Sequence, residues 1–295
     1  MKYKTLLRNK IMNYTTLKNP KIYRPSSKPL ISGDTFRKMA NHIFDETQTL
    51  NPKRVKKKDI VFLKTDLKKI YFEHYHPLIE NQYILISHNS DDSVSESDLN
   101  YLDSKILHWF AMKLNVEANN RISPIPSGLE NARFRVNGKV KNFINISKEN
   151  NHLSFNKSKK ILCSFNENTN FEERHPLLKI AEAHDEIDIL RFENRVEYLN
   201  TLSNYKYNLC PEGNNYESHR IWETLYFSST PIVLSNKVNN NFFSLDIPLL
   251  ILKKWDELKH LRFSDLERMN QINSNKKYKE FSTFEYWDSF IRSKV

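Results

Sequence analysis

Short unbroken apolar runs recur along the chain, each separated from the next by one connecting segment. In the first half they are Asp59-Ile-Val-Phe-Leu-Lys64, Tyr83-Ile-Leu-Ile-Ser-His88, Lys105-Ile-Leu-His-Trp-Phe110 and Arg121-Ile-Ser-Pro-Ile-Pro126. In the second they are Lys160-Ile-Leu-Cys-Ser-Phe165, Ile187-Asp-Ile-Leu190, Tyr205-Lys-Tyr-Asn-Leu-Cys210, Thr230-Pro-Ile-Val-Leu234 and Leu249-Leu-Ile-Leu252. Such runs are too short for buried helices, and most lack the alternation of a strand wetted on one face. Strands that are apolar on both faces belong to parallel sheets with crossovers packed on them. The pattern predicts an α/β protein.

Between the two sets lies a polar stretch rich in Asn, Lys and Ser, roughly residues 137–159, which reads as an interdomain connection. The 295 residues suffice for two cores of ordinary size. The expected division is residues 1–145 and 146–295. Helices are predicted near Thr35–Thr47, Glu172–His184 and Glu217–Phe227, with a helical or loop crossover at Leu67–Leu78. Beyond Leu252 the chain reads as helical, with Trp255, Leu258, Leu261, Phe263, Leu266 and Met269 as packing positions. Two successive α/β units enclose a cleft, and ligands in such sheets bind beyond the carboxyl ends of the strands.

The formal net charge of +11 is unevenly placed. Residues 1–70 hold 18 Lys and Arg against 5 Asp and Glu, whereas the other 225 residues hold 28 against 30. The densest run is Lys53-Arg54-Val55-Lys56-Lys57-Lys58. A basic N-terminal third suits an anionic partner such as lipid headgroups, a phosphate-linked acceptor or nucleic acid, or is simply a solvated basic surface. No run of about 18 apolar residues is present to span a membrane, and residues 1–16 lack the apolar stretch and cleavage site of a signal peptide. Cys163 and Cys210 sit in apolar runs and read as buried thiols of a reducing compartment. The expected location is the cytoplasm, with peripheral contact to an inner membrane through the basic region left open.

The segment richest in chemistry is Asn208-Leu-Cys-Pro-Glu-Gly-Asn-Asn-Tyr-Glu-Ser-His-Arg-Ile-Trp-Glu223. It reads as a strand, a tight turn at Pro211–Asn215 and a helix, followed by the Thr230 strand. A helix N-terminus has unpaired N–H groups and partial positive charge, which suit a phosphate. Arg220 in the first turn adds forked donors. Glu223 shares its face, as does His219, and can accept hydrogen bonds from a ribose. Ile221, Trp222, Leu225 and Tyr226 are expected to face the core. The same spacing also fits an amphipathic helix with a surface Arg220–Glu223 ion pair, and spacing alone favours that simpler arrangement.

Leu209 to Ser235 resembles the nucleotide-sugar segment of exostosin-like glycosyltransferases, in which a Pro-Glu-Gly-Asn…His-Arg-x-Trp-Glu block precedes a Pro-Ile-Val strand. The related α-1,3-fucosyltransferases are similar. Ile86-Ser-His-Asn-Ser-Asp91, and Trp109-Phe-Ala111 with Pro124-Ile-Pro-Ser-Gly-Leu-Glu-Asn131, resemble the bacterial and viral branch of the group. The resemblance covers residues 83–235. It implies a GT-B architecture, two Rossmann-like domains facing a central cleft. The C-terminal domain would hold a nucleotide-sugar donor and the N-terminal domain a glycan or lipid-linked acceptor, with inversion and without a metal or other cofactor. It assigns donor binding to Glu212, Gly213, Asn214, His219, Arg220 (pyrophosphate) and Glu223 (ribose). Arg174, opening a helix after a strand, is a second phosphate ligand or an exposed helix arginine. Asn215, Ser228 and Ser229 stand where glycine is usual, and these departures are expected to narrow the donor's space.

A direct displacement needs a general base for the acceptor hydroxyl, supplied from the N-terminal domain. Asp91 is the first candidate and Glu130 the second, with Asp92 and His88 remaining. Each also reads as a turn or capping residue. No Asp-x-Asp flanked by apolar strands marks a metal-bridged diphosphate; Asp185-Glu-Ile-Asp188 is the nearest acidic cluster. The leaving diphosphate would then rely on arginines and a helix dipole. The product expected by analogy is a surface polysaccharide, such as capsule, or lipopolysaccharide. Two alternatives stand beside this. A basic nucleic-acid-binding protein is one, although no zinc spacing, RNP-type strand or basic heptad helix supports it. A non-catalytic sugar-binding relative is the other.

Overall fold

The computed structural model describes residues 24–150, 157–273 and 278–294. It contains two Rossmann-like α/β units, each built on a five-stranded parallel sheet. The first sheet runs β1 (His42–Phe44), β2 (Ile60–Lys64), β3 (Tyr83–His88), β4 (Ile106–Met112) and β5 (Ile122–Ile125) in sequential order. Phe62 of β2 lies opposite Ile86 of β3, and both strands are buried except at Lys64. Because the strands add in one direction and parallel crossovers are right-handed, their connections fall on one face. There Tyr71, Phe72 and Ile79 pack against Val61, Leu85 and Trp109. The opposite face, with Phe62, Ile86 and Phe110, needs cover from elsewhere in the chain. Helix Gly33–Met39 supplies part of it, and helix Phe284–Ser293 returns from the far end of the sequence to supply the rest. Trp287 and Ile291 of that helix are fully buried, and Phe290 meets Phe110 edge-on with centroids 5.9 Å apart.

The second sheet contains β6 (Ser158–Cys163), β7 (Ile187–Ile189), β8 (Tyr205–Leu209), β9 (Thr230–Leu234) and β10 (Leu250–Leu252), in the spatial order β10-β9-β8-β6-β7. Growth reverses direction between β6 and β8, so right-handed crossovers must cover both faces. Helices Arg195–Ser203, His219–Tyr226 and Lys237–Ser244 cover one face, and Phe171–Glu182 and Phe263–Met269 the other. Where the order reverses, the two connections leave on opposite sides and open a crevice at the carboxyl ends of β6 and β8.

Several expectations are corrected. The helix predicted over Thr35–Thr47 ends at Met39, where Ala40 turns extended, and residues 42–44 form an edge strand. The polar stretch 137–159 holds a helix, Val140–Glu149, whose Phe143 and Ile146 are buried; β6 begins within it at Ser158, and residues 151–156 lie outside the described ones. Met269 is 39% exposed rather than packed. Residues 1–23, part of the basic region and the segment searched for a signal peptide, also lie outside the described residues. Cys163 and Cys210 are buried and free. Among the described residues no helix is long and apolar enough to cross a membrane.

Candidate active site

A cleft of about 730 Å³ opens between the two units, lined from both. Asp91, Glu130, Arg174, Gly213, Asn214, His219, Arg220 and Glu223 all line it, whereas Glu212 stands behind the wall. The second unit's contribution follows from local sequence. After β8, Pro211 cannot continue the ladder, and the chain turns through Gly213 before the helix begins at His219. Ile221, Trp222, Leu225 and Tyr226 bury one side of that helix. Its N-cap, Ser218, makes no side-chain capping bond, and its Oγ is buried without a partner.

Two arginines converge on this helix end. Arg220 Nη2 donates to the Ser164 carbonyl at 3.2 Å, and its Nε is buried without an acceptor. Arg174, only 2% exposed, donates from Nε to the Glu212 carbonyl at 2.7 Å and from Nη1 to the Asn166 carbonyl at 2.8 Å. Glu212 shapes this seat. Its N–H donates to Glu173 Oε1 at 3.2 Å, and its Oε1 accepts from Asn236 Nδ2 at 2.8 Å. Neither arginine forms an ion pair with a carboxylate among the described residues. Burial, and then the Arg220 charge, push the Arg174 guanidinium down to about 10. A buried and a half-buried guanidinium, both hydrogen-bonded to carbonyl oxygens beside a helix N-terminus, are chemically suited to an anion.

The surface pair Arg220–Glu223 is not formed. Glu223 is 3% exposed; its Oε1 accepts from Arg195 Nη2 and its Oε2 from the Tyr198 hydroxyl at 3.0 Å. Burial works against its charge, but Arg195 outweighs this and holds the carboxyl below its usual range. His219 does not point free into the cleft, since its Nδ1 hydrogen-bonds the Gly128 carbonyl of the first unit at 2.7 Å.

On the opposite wall, Asp91 is occupied. Its Oδ1 pairs with Lys113 Nζ at 3.0 Å, and its Oδ2 accepts from Asn214 Nδ2 at 3.4 Å. Partial burial opposes the charge, but Lys113 keeps the carboxyl below its ordinary value. Glu130 has no hydrogen bond or ion pair among the described residues and faces the field of Arg195. His88 has both ring nitrogens engaged, by the Pro126 carbonyl at 2.8 Å and the Asn89 N–H at 2.7 Å. Burial pushes it down to about 3, so it stays neutral. Asp92 lines the rim and is exposed.

Arg195, Lys113 and Gly33 line the cleft without having been singled out in the sequence. A Cβ on Gly33 would come within 1.8 Å of Asn89 Oδ1. The chain has only 4 glycines; Gly33 and Gly213 line the cleft, and Gly128 (φ 65°) supplies the carbonyl to His219. Asn215, Ser228 and Ser229 are not among the residues that line the cleft, although the Asn215 side-chain amide donates to the carbonyl of Asp91. Among the described residues no group of three or more His, Cys, Asp or Glu is placed to hold a metal ion.

No protein-family model matches the chain, and no curated protein matches it in sequence. Solved structures similar to it include a UDP-forming α,α-trehalose-phosphate synthase from Burkholderia xenovorans, at 6% identity and a TM-score of 0.46, covering 83% of this chain and 74% of that one. An α,α-trehalose 6-phosphate synthase from Burkholderia multivorans matches at 9% identity and a TM-score of 0.43, covering 83% and 72%. A GtfA/B complex matches at 12% identity and a TM-score of 0.42, covering 82% and 58%.

Proposed function

We propose that this chain is a glycosyltransferase that moves a sugar from a nucleotide-sugar donor to a hydroxyl of a glycan or lipid-linked acceptor, in the synthesis of a surface polysaccharide or lipopolysaccharide. The observation that carries it is the convergence of Arg174, Arg220 and the N-terminus of helix His219–Tyr226 at the crevice between β6 and β8. Neither arginine is ion-paired to a carboxylate among the described residues, which leaves both charges to attract a diphosphate. In the proposed reaction the acceptor oxygen attacks the anomeric carbon while the bond to the diphosphate breaks, which inverts the centre. The departing electron pair stays on the diphosphate and is stabilised by the two arginines and the helix end, with no metal required. Glu130, unpartnered on the facing wall, takes the acceptor's proton; Asp91 is held by Lys113 and Asn214.

Lys53, Arg54 and Lys56 to Lys58 are exposed and without ion-pair partners among the described residues. They precede β2, at the opposite end of the first sheet from the cleft. This cluster is the proposed contact with an anionic cytoplasmic membrane surface, worth about 1 kcal/mol per cation, and it leaves the cleft open. The test is release of nucleoside diphosphate from UDP-, GDP- and dTDP-sugars with EDTA present and glycan acceptors supplied. Acceptor-dependent release from one donor class supports the proposal. Binding without turnover of any donor would point instead to a non-catalytic sugar-binding protein.

A further inference from the structure

Three arginines reach the cleft from the second unit, and their surroundings divide them into two kinds. Arg174 and Arg220 lack a carboxylate partner among the described residues. Arg195, the first residue of helix Arg195–Ser203, has one, because its Nη2 donates to Glu223 Oε1. Tyr198, one turn on, donates to the other carboxylate oxygen at 3.0 Å. Only 4% of the Glu223 side chain is exposed, against 16% of that of Arg195. The guanidinium carbon lies 4.8 Å from the Tyr198 ring centroid and 5.5 Å from that of Phe143. Its Nε is buried without an acceptor, and Glu130 on the facing wall favours its charge.

A guanidinium neutralised by a buried carboxylate is a weak phosphate ligand, yet it still presents forked donors at a fixed angle. Such a group suits neutral oxygens. We infer that Arg195 is the donor-binding residue for the vicinal hydroxyls of the nucleotide sugar, with Glu223 and Tyr198 as positioning residues that hold its guanidinium in the cleft; the inference rests on the donor site proposed above. It places Glu223 behind Arg195 rather than in direct contact with ribose, since the more exposed partner meets the ligand first. Vicinal hydroxyls occur on the ribose and on the transferred sugar, and binding measurements separate the two.

Calorimetry with inorganic pyrophosphate, UDP, GDP, their 2′-deoxy analogues, and UDP- and GDP-linked hexoses is run on the wild type, Arg195→Lys and the double variant Arg195→Met with Glu223→Gln. Lysine keeps the ion pair and loses the fork, and the double variant leaves no unpaired buried charge. If Arg195 holds the ribose, both variants bind UDP or GDP roughly tenfold more weakly, lose discrimination against the 2′-deoxy analogue and bind pyrophosphate as before. If it holds the transferred sugar, only the sugar-linked nucleotides weaken by that factor. Unchanged binding of every probe, or an equal loss for pyrophosphate, overturns the assignment. A wild type that binds no probe overturns the donor site itself, and this inference with it.

Discussion

Glu217 of the second unit accepts two hydrogen bonds from Ser127 of the first, one from the backbone N–H and one from the hydroxyl, each at 2.9 Å. The same oxygen accepts from Trp222 Nε1, while Oε2 is buried without a donor. Burial raises this carboxyl above its usual range despite those bonds. A raised folded value means that the native state keeps the proton longer than the unfolded chain does. Between the ordinary carboxyl value and the raised one, this group's contribution to stability therefore falls as pH rises, and at neutral pH its charge opposes folding. Glu217→Gln keeps the acceptor and removes the charge, so it is predicted to melt at or above the wild type at pH 7, with a flatter trend through the acid range. Glu217→Ala strands the Ser127 N–H and Trp222 Nε1 and is predicted to cost about 2–4 kcal/mol. Calorimetric melts across pH 4–8 check both, and a glutamine variant clearly less stable at pH 7 would show that the charge is favourable.

Ser228 has φ 54° just beyond helix His219–Tyr226, a left-handed conformation for a residue with a Cβ. That geometry costs roughly 1 kcal/mol in a non-glycine residue. Ser228→Gly is predicted to gain a few tenths to about 1 kcal/mol, part of the relief being offset by greater unfolded-state freedom. Because Ser228 lies outside the cleft, donor binding is expected to be unchanged. Urea denaturation measures the first effect, and a glycine variant less stable than the wild type would contradict it.

The two acceptor-side carboxylates are predicted to separate kinetically. Glu130→Gln should lower kcat by about 10²- to 10⁴-fold, the range for a lost general base, with nucleotide affinity retained. Asp91→Asn frees Lys113 and loosens the bond to Asn214, so its main effect is expected on KM, with kcat within about tenfold of wild type. Steady-state kinetics of both variants decide. A kcat loss at Asp91 as large as that at Glu130 would reverse the assignment.

Much of the fold is legible because the sheet residues are contiguous. Ile60 to Leu63 and Tyr83 to Ile86 are apolar on both faces, and both become fully buried strands. β1 escapes notice because it has three residues and only Phe44 is buried. Helix Val140–Glu149 is hidden among Lys and Asn, with Phe143 and Ile146 as its only buried positions. The same contrast holds at the site. The His219–Glu223 block is local and visible, as is the burial of Ile221 and Trp222. The seating of Arg174 on the Glu212 carbonyl, the Arg195–Glu223 pair and the approach of Glu130 join residues far apart in sequence. Those relationships exist only once the second sheet reverses direction and the two units face each other, and no spacing rule in one chain encodes them.

The central claim is that Arg174 and Arg220 form a diphosphate site. The most direct measurement is titration of UDP, GDP and dTDP, without metal, into the wild type, Arg174→Ala and Arg220→Ala. One nucleotide is expected to bind the wild type and to lose roughly 10- to 100-fold in affinity in each variant, the value of a charge-assisted hydrogen bond. Without ligand, Arg174→Ala is expected to melt lower than the wild type, since it strands the Glu212 and Asn166 carbonyls, so the affinities are compared at a temperature where each variant is folded. Equal binding by wild type and variants, or no binding of any nucleotide by the wild type, would contradict the account.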